Sequence, residues 1–188
     1  MASVITATNS SGLTTSADNS GVLQLASGTG NLVTVPSVTG TAMVSGNMPA
    51  FSAYLSADTA ITNATGTKIP INTEEFDTNG YYDNTTNYRF TPLVAGYYQV
   101  SGQTLIGAPS VGVCILQIYK NGSAFKTGTQ VPFSATANYI SSTVSALVYF
   151  NGSTDYVELY AYQSSGTSQT MFGVSYANYF QAVMVRAA

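Results

Sequence analysis

The sequence predicts an all-β protein built as a two-sheet sandwich, and three observations carry that reading. Val, Ile, Thr, Tyr and Phe dominate every apolar run, and nowhere do apolar residues recur at helical spacing across a capped segment. Turn formers punctuate the chain, with Asn-Gly pairs at Asn79–Gly80, Asn121–Gly122 and Asn151–Gly152. About eight to ten strands at this spacing, in a domain of about 140 residues, suit a sandwich or a jelly roll.

Composition bounds the function. Charged residues are 7% of the 188, and Gly, Ser, Thr and Asn supply most of the polarity. Hydrophobic residues reach 45%, with 14 Tyr and 8 Phe, enough apolar burial to offset chain entropy. A net charge of -3, with basic residues scattered at Lys68, Arg89, Lys120, Lys126 and Arg186, offers no cationic stripe, so no nucleic-acid partner is expected. The N-terminus lacks a basic start and an apolar core segment, and no stretch approaches about 18 apolar residues; neither a signal peptide nor membrane insertion is expected.

The residue types of common catalytic centres are missing. With no His, the usual general base and metal ligand are absent, and no Ser-His-Asp or Cys-His arrangement can be drawn. No phosphate-binding Gly-rich loop leads into a helix. Cys114 sits in an apolar run, as a buried, inert thiol would. Glu74, Glu75 and Asp77 read as a solvated acidic loop in preference to a carboxylate pair or a calcium site. No enzyme activity, cofactor or metal is expected.

Residues 1–47 form a distinct arm with short β-branched pieces at 3–6, 21–25 and 31–35, separated by Ser, Gly, Asn and Thr clusters. A flexible linker or terminal tail is the other reading of such a composition. The pieces are too short to form a core alone, so they are expected to pair with other chains or a larger surface. The head, residues 48–188, opens with Met48–Ser56, where Pro49 stands at the strand start, and continues through a loop-rich crossing over residues 57–83. Asn121–Gly122 is expected to form a type I′ hairpin turn, and Phe150–Asp155 a second hairpin. Tyr81, Tyr82 and Tyr88, among Asn and Thr, are candidate ligand-binding residues, because aromatic faces beside amides suit neutral glycans; packing between strands is the competing reading.

Four segments in order, Ala95–Val100 (AGYYQV), Ile118–Gly122 (IYKNG), Asn151–Leu159 (NGSTDYVEL) and Tyr179–Val185 (YFQAVMV), resemble the globular heads of complement subcomponent q and the tumour necrosis factor superfamily, with Ala50–Tyr54 matching the opening strand. The resemblance implies a jelly roll of the TNF type, forming a homotrimer about a threefold axis. It also implies that Tyr98, Val100, Phe180 and Met184 fill the sandwich, while Tyr97, Gln99, Ser101, Tyr179, Gln181 and Val183 form the trimer interface. Alternation alone supports either assignment of the two faces. No collagen-like repeat precedes the head, which argues against an animal defence protein. Thr8–Leu25 resembles segments of bacteriophage fibre and capsid-surface proteins.

The resulting expectation is a non-enzymatic virion structural protein, made in the host cytoplasm and placed on the virion surface. It would be a trimeric capsid decoration protein, of the cement or head-fibre kind, anchored to the major capsid protein or a fibre base through residues 1–47. An arm of that length reaches at most about 150 Å when fully extended, short for a tail-fibre shaft. The alternative is a tail-fibre tip or receptor-binding module recognising a host-surface glycan or protein.

Overall fold

A computed structural model describes residues 48–107, 109–134 and 137–188, together with the backbone of two strands nearer the N-terminus. Contacts divide the chain into two units, Met1–Gly40 and Thr41–Ala188. In the first, β1 (Leu23–Ala26) and β2 (Leu32–Val35) pair antiparallel with each other, Leu23 opposite Val35 and Ala26 opposite Leu32. This corrects the expectation that each piece needs another chain or a larger surface for its backbone partner. The piece at residues 3–6 lies outside the described residues.

The second unit is a sandwich of thirteen strands among the described residues. One sheet contains β11 (Ser123–Pro132), β10 (Val113–Lys120), β13 (Val157–Gln163), β8 (Arg89–Phe90) and β7 (Tyr82–Asp83) in that order, with β5 (Thr67–Lys68) also on β13. The other runs β4 (Thr59–Ile61), β14 (Gln169–Met171), β9 (Gly96–Gly107), β15 (Tyr179–Ala187), β3 (Ala50–Tyr54), β6 (Thr73–Asp77), with β12 (Tyr139–Phe150) on the free side of β9. Within this unit only β7–β8 and β10–β11 are consecutive strands paired with each other; most other connections cross between the sheets.

The long strands form where side chains alternate. β9 buries every second residue from Gly96 to Ile106, and β12 and β15 do the same along most of their lengths. Their inward side chains build an aromatic chain joining the sheets. Phe51 stacks on Tyr82 at 4.5 Å and on Phe90 at 4.6 Å, while Tyr98 and Phe180 extend the cluster edge-on. This stack holds the two-residue strands β7 and β8, which have too few ladder bonds to persist alone. Cys114 lies fully inside, where burial pushes its thiol up to about 12, an inert state at neutral pH.

Several expectations change. Residues 57–83 contain β4, β5, β6 and β7, so the strand count exceeds eight to ten. At Asn121–Gly122 both φ angles are positive, 52° and 78°, and Lys120 pairs with Ser123 as a type I′ turn requires. Phe150–Asp155 is not a hairpin, because β12 and β13 belong to different sheets. There Asn151 Oδ1 accepts from the amides of Ser153, Thr154 and Asp155, closing a loop that crosses between layers.

Ser142 ties the sheets at their β11–β12 corner. Its buried Oγ accepts from Leu116 N at 3.0 Å and donates to Thr129 O at 2.6 Å, where the β10–β11 register shifts. Ser142→Ala leaves a backbone donor and acceptor dry and unpaired, and should cost about 2 kcal/mol. Faster amide exchange at Leu116, with a lower urea midpoint, is the expected readout; an unchanged midpoint would mean that water replaces the hydroxyl.

Candidate assembly face

The sheet that contains β9 turns one face to the core and the other outward. Tyr98, Val100, Phe180 and Met184 are at most 2% exposed, on the inner face. Tyr97, Gln99, Ser101, Tyr179, Gln181 and Val183 all lie on the outer one, with Gln99 opposite Val183, Ser101 opposite Gln181 and Gln103 opposite Tyr179.

Register extends this outer face across five strands. Ala50, Val183, Gln99 and Leu147 form one row, and Phe76, Ser52, Gln181, Ser101 and Ser145 the next. Hydrogen bonds cross-link these rows: Gln181 Nε2 donates to Ser101 Oγ at 3.1 Å within the second, and Gln99 Nε2 of the first donates to Ser145 Oγ of the second at 2.7 Å. Beyond them Tyr97 faces Tyr149, ring centroids 5.4 Å apart. Leu147, Tyr149, Val183 and Val185 are 44–57% exposed, as is Phe76 at 52% on the β6 edge. A shallow depression of about 290 Å³ lies between Phe76, Val183, Gln99 and Gln181.

Leu147, Tyr149, Val185 and Phe76 were not anticipated on this face. The unbroken apolar run Ala146–Phe150 carried the signal for two of them, since a strand apolar at successive positions has cover waiting on both sides. Val185 is exposed because a bulge between Met184 and Arg186 shifts the register of β15. β3 departs from alternation too: Ser52 is buried on the outer side because its Oγ donates to Glu75 Oε2 at 2.6 Å.

The acidic residues have separate occupations on β6, not in a loop. Glu75 holds Ser52, while Asp77 accepts from the amides of Asn79, Gly80 and Tyr82 and so shapes the turn after β6. Desolvation, then the charge of Asp77, raises the Glu74 carboxyl above its ordinary value. No group of three or more metal-ligating side chains converges among the described residues, and they contain no helix long and apolar enough to cross a membrane.

The three tyrosines expected to form a ligand patch are not one surface. Tyr82 is a core residue, 6% exposed, stacked on Phe51 and donating through its hydroxyl to Ile71 O at 2.9 Å. That placement corrects its assignment to a sugar-stacking patch, because the ring lies against another ring. Tyr81 is half-buried beside it, and Tyr88 is half-buried with a left-handed φ of 49°.

Between β7 and β8, Asp83 organises the turn. Its carboxylate accepts from the amides of Thr85, Thr86 and Asn87 and from Asn87 Nδ2. The Thr86 amide above all, with Asn87 and Thr85, holds this carboxyl well below the ordinary carboxylate range, against the opposing effect of burial. A depressed folded-state value gives stability that is present above the unfolded-state pKa, about 3.9, and is lost as pH falls further toward the folded value. Melting temperature should therefore decline as pH drops below about 4, and Asp83→Asn should flatten that decline. Identical slopes would remove Asp83 from the account.

No protein-family model matches the chain, and no curated protein matches it. Solved structures do. The chain is similar to the Eiger TNF from S. frugiperda, with a TM-score of 0.54 at 9% identity over 75% of this chain and 93% of that one. It also matches the globular domain of zebrafish complement 1qA, TM-score 0.49 at 13% identity over 74% and 98%. A third match is the PRD1 vertex protein P5, TM-score 0.47 at 15% identity over 72% and 92%. At these identities the likeness concerns the fold: the head is a TNF-like jelly roll.

Proposed function

We infer that the chain is a non-enzymatic structural protein whose head assembles as a homotrimer through the outer face of the β9 sheet. The observation that carries this reading is the row of exposed apolar side chains there, Phe76, Tyr97, Leu147, Tyr149, Val183 and Val185. Soluble monomers rarely present so continuous an apolar face, and burying each half-exposed side chain is worth roughly 1 kcal/mol. The pairs Gln181–Ser101 and Gln99–Ser145 already satisfy much of their own polarity, so covering them costs little desolvation. The expected test result is a particle of three times the 19.6 kDa protomer mass in light scattering. A monomer at micromolar concentration would defeat the reading.

The place of work in this reading is a virion surface, with the head outward as a capsid decoration and residues 1–47 as its attachment to a capsid protein or fibre base. The resemblance of Thr8–Leu25 to phage capsid-surface and fibre segments supports it. Removing residues 1–47 should abolish particle binding while leaving a folded head. A truncated head that still decorates particles would move the attachment site into residues 48–188.

A further inference from the structure

A second surface feature lies away from the assembly face, in the sheet of β7 and β8. A pocket of about 330 Å³ is lined there by Tyr81, Tyr82, Asp83, Arg89, Thr91 and Leu93. Its size falls at the lower end of those that hold small ligands, enough for one sugar ring.

Arg89 is its unusual member. Its neighbours in register are Asp83 on β7 and Glu158 on β13, both carboxylates. Neither pairs with it. Asp83 is occupied by the turn amides and Asn87, and buried Glu158 is held by Lys68 at 2.5 Å. The ion pairs among the described residues are Lys68–Glu158 and Lys120–Asp155, so the Arg89 guanidinium is left without a carboxylate. It is nevertheless held in place, its Cζ 4.5 Å from the centre of the Tyr156 ring.

A half-buried guanidinium with its donors free, fixed by a ring and opening on a pocket, suits a planar carboxylate that can take two parallel hydrogen bonds. The remaining lining narrows the ligand. Asp83 is ionised and adjacent, which penalises a dianion such as phosphate. Leu93, 56% exposed, and the half-buried Tyr81 supply apolar contact for a ring, while the Thr91 and Tyr81 hydroxyls can serve ring hydroxyls.

We propose that this pocket binds the carboxylate of an acidic sugar residue, a uronic or sialic acid, through Arg89, with the sugar ring against Tyr81 and Leu93. The site keeps Tyr81 from the tyrosine set read in the sequence and changes the ligand from neutral to anionic. It requires no particular oligomeric state.

The test uses the full chain and the methyl glycosides of glucuronic acid and N-acetylneuraminic acid, titrated by calorimetry and ligand-observed NMR. Methyl glucoside, acetate and inorganic phosphate serve as comparison probes. Saturable binding of at least one acidic glycoside, about tenfold tighter than methyl glucoside or acetate, is the expected result. Arg89→Met, which keeps the stem over Tyr156, should weaken it about tenfold, and Arg89→Lys by less. Leu93→Asp, at a rim position 56% exposed, removes the apolar contact for any ring and adds a negative charge, so it should weaken acidic glycosides more than methyl glucoside, with an unchanged far-ultraviolet spectrum. The proposal is overturned if neither acidic glycoside binds saturably, if the neutral one binds equally well, if phosphate displaces the glycoside at equal concentration, or if Leu93→Asp has no effect.

Discussion

Leu147→Asp combined with Val183→Asp should convert the proposed homotrimer to a folded monomer. Both residues flank Gln99 in one row of the outer face and are 55% and 46% exposed in the isolated chain. Aspartate at these positions therefore costs the single protomer only the weak β propensity of an exposed strand site, under about 1 kcal/mol each. In the assembly the same carboxylates would be buried, each losing its hydration at a cost of several kcal/mol, and copies from neighbouring protomers would repel one another. Light scattering should give the protomer mass, with a far-ultraviolet spectrum like the parent's. Val111→Asp, 62% exposed outside this face, should leave the assembly intact. If the double variant keeps the parent mass, the face is not the interface; if Val111→Asp also yields monomer, added charge alone is responsible.

The outward positions of that face were legible because β9 and β15 alternate cleanly. Once Tyr98 and Phe180 are inside, Tyr97, Gln99, Gln181 and Val183 have no other place to point. The short strands were not legible, since pieces of two or three residues show no period. Arg89–Phe90 is a strand because Phe90 stacks on Phe51, a contact with a residue 39 positions earlier by number (90 minus 51). Asn-Gly pairs misled for a related reason. At Asn121–Gly122 both residues take positive φ, whereas in the Asn151 loop Gly152 does so and Asn151 uses its side chain to gather amides. The dipeptide is the same and the surrounding topology decides its conformation.

The tyrosines show the same limit at the candidate sites. Asp77 Oδ2 takes the Tyr82 amide at 2.7 Å, and the ring of Tyr82 lies inside on Phe51 while Tyr81 remains at the pocket. Composition could mark a Tyr-rich loop as worth attention, but not which ring stays accessible. Nor could it show that Arg89 lacks a carboxylate partner, because that depends on Lys68 and Glu158, 90 residues apart in sequence, meeting each other.

Asn178→Ala should be among the most destabilising single substitutions in the head. The side chain is fully buried at the start of β15, where it joins three segments. Its Oδ1 accepts from the Thr104 hydroxyl at 2.9 Å and the Leu105 amide at 2.7 Å, and its Nδ2 donates to Phe172 O at 2.6 Å. Truncation leaves two donors and one acceptor dry, and opens a small cavity beneath β9. At about 1–3 kcal/mol for each unsatisfied group, with partial relaxation, the loss should reach about 3–5 kcal/mol. That corresponds to a melting temperature lower by roughly 10 °C for a domain of this size. Asn178→Asp keeps the acceptor but loses the donor and introduces a buried charge, so it should be no milder at neutral pH and should recover part of its stability as acid protonates it. Because assembly through the proposed face would stabilise the fold by mass action, both variants belong on the Leu147→Asp, Val183→Asp background at one protomer concentration. A loss below about 1 kcal/mol there would mean that water reaches the Thr104–Leu105 step and substitutes for the amide.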